Sequence, residues 1–371
     1  MTSDLNLLYT DVEDDLRSSV RDLLQSRCSS DAVTAMYDGD RSVVGTLWRS
    51  IAVELGLAGL LVAESSGGAG ASAREAAVVL EELGRFAAPV PFLTSSVVAV
   101  VALGAVDVHP VDDDLVGRLA SGDVTAALVV PLSASAMSFA TTVKASGDSL
   151  SGEVRSVAGA VEADVLLVPV EADGGIEIRV VEATDATVDP VVSLDMSRQI
   201  ADVSFESAPS RVVVPASSGD AAVRKALVAG AALLASEQVG IAQWCLETTV
   251  AYLKERRQFG RVVGGFQALK HRLADLYVLV EQARAAARYA AATAAEDDPD
   301  AAVAASVAQA YCADVAVKAA EECVQLHGGI GMTWEHPAHL YLKRAKADQL
   351  AFGTASEHRA HLATLVDLPV A

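Results

Sequence analysis

From about residue 220 onward the chain is written in long helical periods, and this constrains the fold more than any other feature. VRKALVAGAALLASEQVGIAQWCLETTVAYLKERRQFG reads as one helix of many turns. RRQFGRVVGGFQALKHRLADL, residues 256–276, carries the next helix through about Ala295, with Phe266, Leu269, Leu273 and Leu276 at spacings of three and four. EDDPD, residues 296–300, interrupts the pattern at Pro299, and DAAVAASVAQAYCADVAVKAAEECVQLHG supplies a third helix. Alanine at so many positions lets backbones approach closely, as a tight four-helix-type bundle requires.

The rest of the chain divides in two. Up to about residue 115 the signals are helical again: LNLLYTDVEDDLRSSVRDLLQ and AREAAVVLEELGRF, the latter stopping at Gly84, flank a glycine and serine loop at residues 63–72. Between about 123 and 215, TAALVVPLS, ADVLLVPVE, IEIRVVEA and ADVSFES are short β-rich runs separated by turn clusters. The connections are too short for crossover helices, so a small antiparallel sheet or barrel is expected. The expected division is therefore a helical N-terminal domain (1–115), a middle β-domain (116–215) and a C-terminal helical bundle (216–371).

Charge and cysteine content narrow the function. Net charge is −21, which opposes general binding to nucleic acid by self-repulsion. A small anion can still bind, because nearby arginines act at short range while distant carboxylates are screened. Cys28, Cys245, Cys312 and Cys323 show no C-x-x-C spacing and read as buried apolar residues of a reducing compartment. The acidic start, MTSDLNLLYTDVEDDL, is no signal peptide, and the apolar run at 92–106 is too short to span a bilayer. A buried helix at 92–106 and a cytoplasmic location are the expectations.

Two glycine-bearing turns carry the chemistry. Arg256 in Glu255-Arg256-Arg257-Gln258-Phe259-Gly260 is a permanent cation with a planar fork, suited to two oxygens of a pyrophosphate. Gln258 can donate to a phosphate or meet a base edge, and Phe259 can pack on a planar ligand. In Gln325-Leu326-His327-Gly328-Gly329, the two glycines allow a ligand to approach the backbone. Taken singly, each is an ordinary helix end or turn.

Together with Phe266-Gln267, Ile330-Gly331 and a terminal Phe352-Gly353-Thr354, these passages resemble the acyl-CoA dehydrogenases, whose signature is R-x-x-F-G leading into F-Q, then Q-x-x-G-G-x-G, then a final G-T. EELGRFAAPVPF, residues 81–92, is similar to their N-terminal domain. The resemblance implies an α+β fold of helices, a small β-domain and a bundle. It implies FAD as cofactor, an acyl-CoA substrate and an electron-transfer flavoprotein as electron acceptor. It also implies that Arg256, Gln258, Phe259, Gln267, Gln325, Leu326, Gly328 and Gly329 grip the FAD of a neighbouring subunit.

Other family features are missing. Members need a carboxylate to take the α-proton of the thioester. Many carry it directly before the terminal G-T, where this chain has Phe352; others carry it on the long helix, where it has Gly230 and Ala231. The T-E-P…G-S-D segment that serves the flavin ring and CoA reads Val129-Val130-Pro131-Leu132-Ser133-Ala134-Ser135-Ala136. In the strand Leu150–Ala158 the expected aromatic is Ser156 and the expected hydroxyl is Ala158. Features serving the chain's own flavin are eroded and those serving a neighbour's are kept. The chain therefore resembles the shorter, catalytically silent partner in actinobacterial hetero-oligomers of steroid side-chain degradation, and the expected assembly is two plus two with a related chain that bears the glutamate.

Alternatives remain open at this stage. Glu237, about 10 Å along the helix from Gly230 at the usual rise, could serve as the base of a self-sufficient homo-oligomer. A flavin monooxygenase on this scaffold would need no such base, and a scaffolding subunit would bind no flavin. His336-x-x-His339 and His358-x-x-His361 have the spacing of paired metal ligands but lack the carboxylate of a zinc protease, so no metal is expected.

Overall fold

The computed structural model describes residues 5–104 and 112–368. Two sequence expectations run past those limits: residues 105–106 of the apolar run, and the first four residues of the acidic start.

Helices α1 (Asp11–Arg27), α2 (Ser30–Ala35), α3 (Ser42–Arg49) and α4 (Ala73–Arg85) come first. Capping boxes start α1 at Thr10 with Glu13 and α4 at Ser72 with Glu75, each satisfying two orphan N–H groups. A π-helical turn, Ser50–Glu54, extends α3. The run Phe92–Ala99 is π-helical, buried throughout, and passes into α5 (Val100–Gly104), as the apolar sequence predicts for its described part. Helix α6 (Asp113–Ser121) leads into the strands.

The middle region is a pair of four-stranded sheets. One has the order β1 (Ala126–Leu128), β4 (Val165–Ala172), β5 (Gly175–Glu182), β8 (Arg211–Val214). The other has the order β2 (Lys144–Ser146), β3 (Ser149–Ala158), β7 (Ile200–Pro209), β6 (Thr187–Val191). The wholly antiparallel expectation needs one correction, because β1 pairs parallel to β4. The chain between them folds into β2 and β3 of the facing sheet, a crossover made of strands where a helix is usual.

Three long helices follow, α7 (Ala216–Glu255), α8 (Gln267–Ala295) and α9 (Ala301–His327), packed on one another, with α10 (Ala338–Asp348) and α11 (Ala355–Leu365) against α9. Helix α7 is the described helix long and apolar enough to cross a membrane; the most apolar window is 83 % buried, which marks a core helix. Its small residues permit the crossings. A Cβ on Gly240 would stand 1.9 Å from the Glu81 carbonyl oxygen of α4, so only glycine fits there.

Residues 256–276 are not one helix. Helix α7 ends at Glu255, and β9 (Arg257–Gln258) pairs with β10 (Arg261–Val262) in a two-residue hairpin before α8 begins at Gln267. Phe259 and Gly260, at φ 51° and 76°, supply the two left-handed residues that this tight turn requires.

Candidate functional site

The hairpin and the glycine turn meet at one corner of the molecule. Tyr252, in the last turn of α7, stacks on His327 at the end of α9 with ring centroids 4.5 Å apart. Tyr252 also accepts the Arg256 N–H at 2.9 Å, so the stack ties both turns to one support. Arg256, Gln258, Phe259, Gln267, Gln325, Gly328 and Gly329 are all exposed, and Leu326 is half-buried.

Among the described residues, the side chains of Arg256, Gln258, Gln267 and Gln325 have no hydrogen-bond or ionic partner within the chain. Gly328 adopts φ +65°, and a Cβ there or on Gly329 would meet nothing within 4 Å. Phe259 is 87 % exposed and leans edge-on against Phe266, which the Arg261 guanidinium covers at 3.7 Å. A fork-shaped cation, three amides, a standing aromatic ring and open glycine backbone suit a phosphate-bearing dinucleotide that arrives from outside the chain.

Phe352 is buried, and a Cβ on Gly230 would lie 2.8 Å from two of its ring carbons. The two positions that the sequence resemblance pairs with the family's base thus face each other, as a phenyl ring over a glycine. The Phe352 N–H donates to the Leu132 carbonyl at 2.9 Å, Leu132 N–H donates to Ser156 O, and Ala134 N–H to Pro131 O. Ser135 is buried and hydrogen-bonded to Ser138. At Ser156 strand β3 bulges, with φ 58°, and its N–H goes to Asp202. These particular donors are therefore committed inside the chain. The exposed corner has the donor set that the phosphate and adenosine end of FAD would need.

Glu237 is likewise committed. It is buried, and its Oε1 accepts from Arg198 Nη2 and Arg344 Nη1, both at 2.5 Å. Burial alone would raise its pKa, but the two guanidiniums outweigh burial and hold it below the usual range. Arg344 also donates to Asp195 at 2.6 Å and to Ser197 at 2.8 Å. Beside them lies Asp348, which the sequence reading missed. Its Oδ1 stands 3.3 Å from Arg198, and neither carboxylate oxygen makes a hydrogen bond. Burial, with the nearby Glu237 carboxylate, pushes its pKa up to about 8 against the pull of Arg198 and Arg344. Three acids and two arginines are a charge-deficient set, which favours the protonated form of Asp348. No spacing signal could have found this cluster, whose members come from α7, α10 and the loop before β7.

All four cysteines are buried and unpaired. Cys323 departs from the expectation of inert thiols. A hydrogen bond from Cys245, aided by His327 at 3.6 Å, holds it down to about 5. Among the described residues no group of three or more His, Cys, Asp or Glu side chains could hold a metal ion.

Comparison with known proteins agrees with this architecture. The family models described as acyl-CoA dehydrogenase N-terminal domain and C-terminal domain match residues 10–108 and 217–366. The acyl-CoA dehydrogenase IpdE2 of Mycolicibacterium smegmatis is 32 % identical over 343 residues, covering 92 % of this chain and 94 % of that one. Among solved structures, the ChsE4–ChsE5 complex from Mycobacterium tuberculosis aligns with a TM-score of 0.86 and 26 % identity over 99 % of this chain and 100 % of that chain. A second, described as the Tcur3481–Tcur3483 steroid ACAD G363A variant, aligns with a TM-score of 0.83 and 28 % identity over 96 % and 98 %. The chain belongs to the acyl-CoA dehydrogenases. These are FAD-dependent oxidoreductases, and the α+β architecture of helices, paired sheets and helical bundle is theirs.

Proposed function

We propose that this chain is the silent subunit of a hetero-oligomeric acyl-CoA dehydrogenase, assembled two plus two with a related chain that carries the catalytic glutamate and the flavin ring site. The observation that carries this reading is the contrast between the two ends of the site. The exposed corner offers unpaired Arg256, Gln258 and Gln325, while Phe352 packs over Gly230, so that neither position presents a carboxylate.

In the complex, Arg256 would neutralise pyrophosphate charge, and Gln258, Gln325 and the Gly328-Gly329 backbone would orient the adenosine half. Bound FAD supplies acceptance of the hydride from the β-carbon as the partner's carboxylate takes the α-proton. Holding the dinucleotide at its phosphate end fixes where the ring lies in the partner. This chain contributes position and charge balance, and no proton transfer.

Similarity to a steroid-acting dehydrogenase and to a two-component complex supports a steroid side-chain thioester as substrate. An electron-transfer flavoprotein is the proposed electron acceptor. Reduced, buried cysteines and high negative charge support a cytoplasmic location.

Co-expression with a related chain retaining the glutamate tests the proposal. One FAD per two chains is expected, with none bound by this chain alone. A yellow, active oligomer of this chain by itself would overturn it. The second reading, in which Glu237 is the base, is disfavoured by the two arginines that hold that carboxylate.

A further inference from the structure

The hairpin at the exposed corner carries more positive charge than a dinucleotide uses. Residues 254–271 hold five lysines and arginines, Lys254, Arg256, Arg257, Arg261 and Lys270, against one acid, Glu255. The chain as a whole has the opposite balance, with 49 acids to 28 lysines and arginines. All five cationic side chains are exposed, and among the described residues none makes an ion pair. The fold gathers them around one point. Arg257 lies opposite Val262 in the hairpin, and Arg261 opposite Gln258. The Arg261 guanidinium covers Phe266 at 3.7 Å, and Lys270 follows one turn along α8, its N–H on the Phe266 carbonyl at 3.2 Å. Phe259 is 87 % exposed and stands at the tip among them, 6.0 Å from Phe266. Like charges held together without counter-ions repel one another. A pyrophosphate brings about two negative charges, enough for Arg256 and one further cation, so a surplus stays unmatched.

We infer that the hairpin is an electrostatic docking element for the partner subunit: Phe259 enters an apolar recess of that chain, and Arg257, Arg261 and Lys270 meet carboxylates on its rim. The inference rests on the subunit role proposed above, because a protein that holds FAD against Arg256 and Gln258 must also lie against the rest of the same two-stranded turn. Nucleic acid and anionic membrane are poor occupants, since this chain is acidic overall and would repel either. A carboxylate rim makes the match locally, within a screening length, and an aromatic anchor beside arginines is the composition of interface centres. Complementary charge of this kind speeds encounter and rejects wrong partners.

The test uses the full-length chain co-expressed with the glutamate-bearing chain. Mass photometry after dilution reads the dissociation constant of the complex at about 0.1 M and about 1 M salt, where charges are screened over about 10 Å and about 3 Å. Arg257→Glu with Lys270→Glu should weaken assembly at least about tenfold at the lower salt, by setting carboxylate against carboxylate, and most of that loss should disappear at the higher. The thermal midpoint of the isolated variant should hold, since both side chains are exposed and unpaired within the chain. Lys144→Glu with Arg155→Glu, in β2 and β3, makes the same change in net charge and should leave assembly nearly unchanged. Equal effects of the two double variants, or a weakening that persists undiminished at the higher salt, would overturn the inference. So would an Arg257→Glu, Lys270→Glu complex as tight as the parent; if that complex also shed its FAD, the surplus cations would belong to the dinucleotide. Failure of the unaltered chain to assemble at all would remove the subunit role itself, and this inference with it.

Discussion

Phe352 lies across Gly230 so closely that a single methyl group on the glycine would stand 2.8 Å from the ring. The contact joins the two positions that the sequence resemblance pairs with the family's base and makes each the reason the other cannot change alone. Gly230→Ala should therefore destabilise the chain by about 1–3 kcal/mol through overpacking. Phe352→Leu should relieve that cost in the double variant, a coupling that thermal denaturation of the four proteins would measure. Additive effects would show that the ring moves aside freely. Under the proposed subunit role, Phe352→Glu should restore no turnover to the chain alone.

The corner makes the opposite prediction. Arg256→Gln in the co-expressed complex should weaken FAD retention about 10- to 100-fold, the worth of a charge-assisted hydrogen bond. The melting temperature of the isolated chain should not shift, because Arg256 is exposed and unpaired within it. Flavin absorbance after gel filtration at low protein concentration gives the answer, and retained stoichiometric FAD would argue against the clamp.

Glu237→Gln separates the structural from the catalytic role of that residue. Removing one partner from a buried ionic cluster costs about 3–5 kcal/mol, so expression and melting temperature should fall. Turnover per bound FAD in the surviving complex should stay near its original value. Conversely, loss of turnover with unchanged stability would identify Glu237 as the base.

Two pH dependences of opposite sign follow from buried groups. Burial holds His336 and His339 down to about 4, with the neighbouring His327 and Lys343 charges acting in the same direction. The unfolded chain binds these protons from its ordinary value of 6.5 downward, so the stability that depends on neutral imidazoles is lost as pH falls from about 6.5 to 4. His327, whose pKa is raised, acts in the reverse sense and loses its contribution as pH rises beyond its ordinary value of 6.5. Asp348, held at about 8 in the fold, retains a proton that the unfolded chain releases near 3.8, so its contribution fades as pH rises between those values. Denaturant titrations from pH 4 to 9 should show a maximum, and Asp348→Asn should flatten its alkaline side.

The sequence carries the layers and long helices because periodicity repeats over many turns and tolerates local error. The two turns are legible as turns, but the hairpin is not. Phenylalanine is a poor indicator of left-handed backbone, and Phe259 adopts it because Gly260 and the β9–β10 pairing fix the geometry. That neither Phe352 nor Gly230 can supply a carboxylate could be read directly, since their identities hold in any fold. Their mutual contact could not, nor could the Asp195–Arg344–Glu237 cluster, because such pairings across more than a hundred residues leave no local period.

The projecting hairpin has a consequence for how the protein is made. Its exposed tip, Phe259, leans edge-on against Phe266, so in the proposed hetero-oligomer it would be a bare adhesive knob until the partner covers it. A cell that synthesised this chain without its mate would accumulate a surface prone to the wrong company, and matched production of the two polypeptides is the natural safeguard.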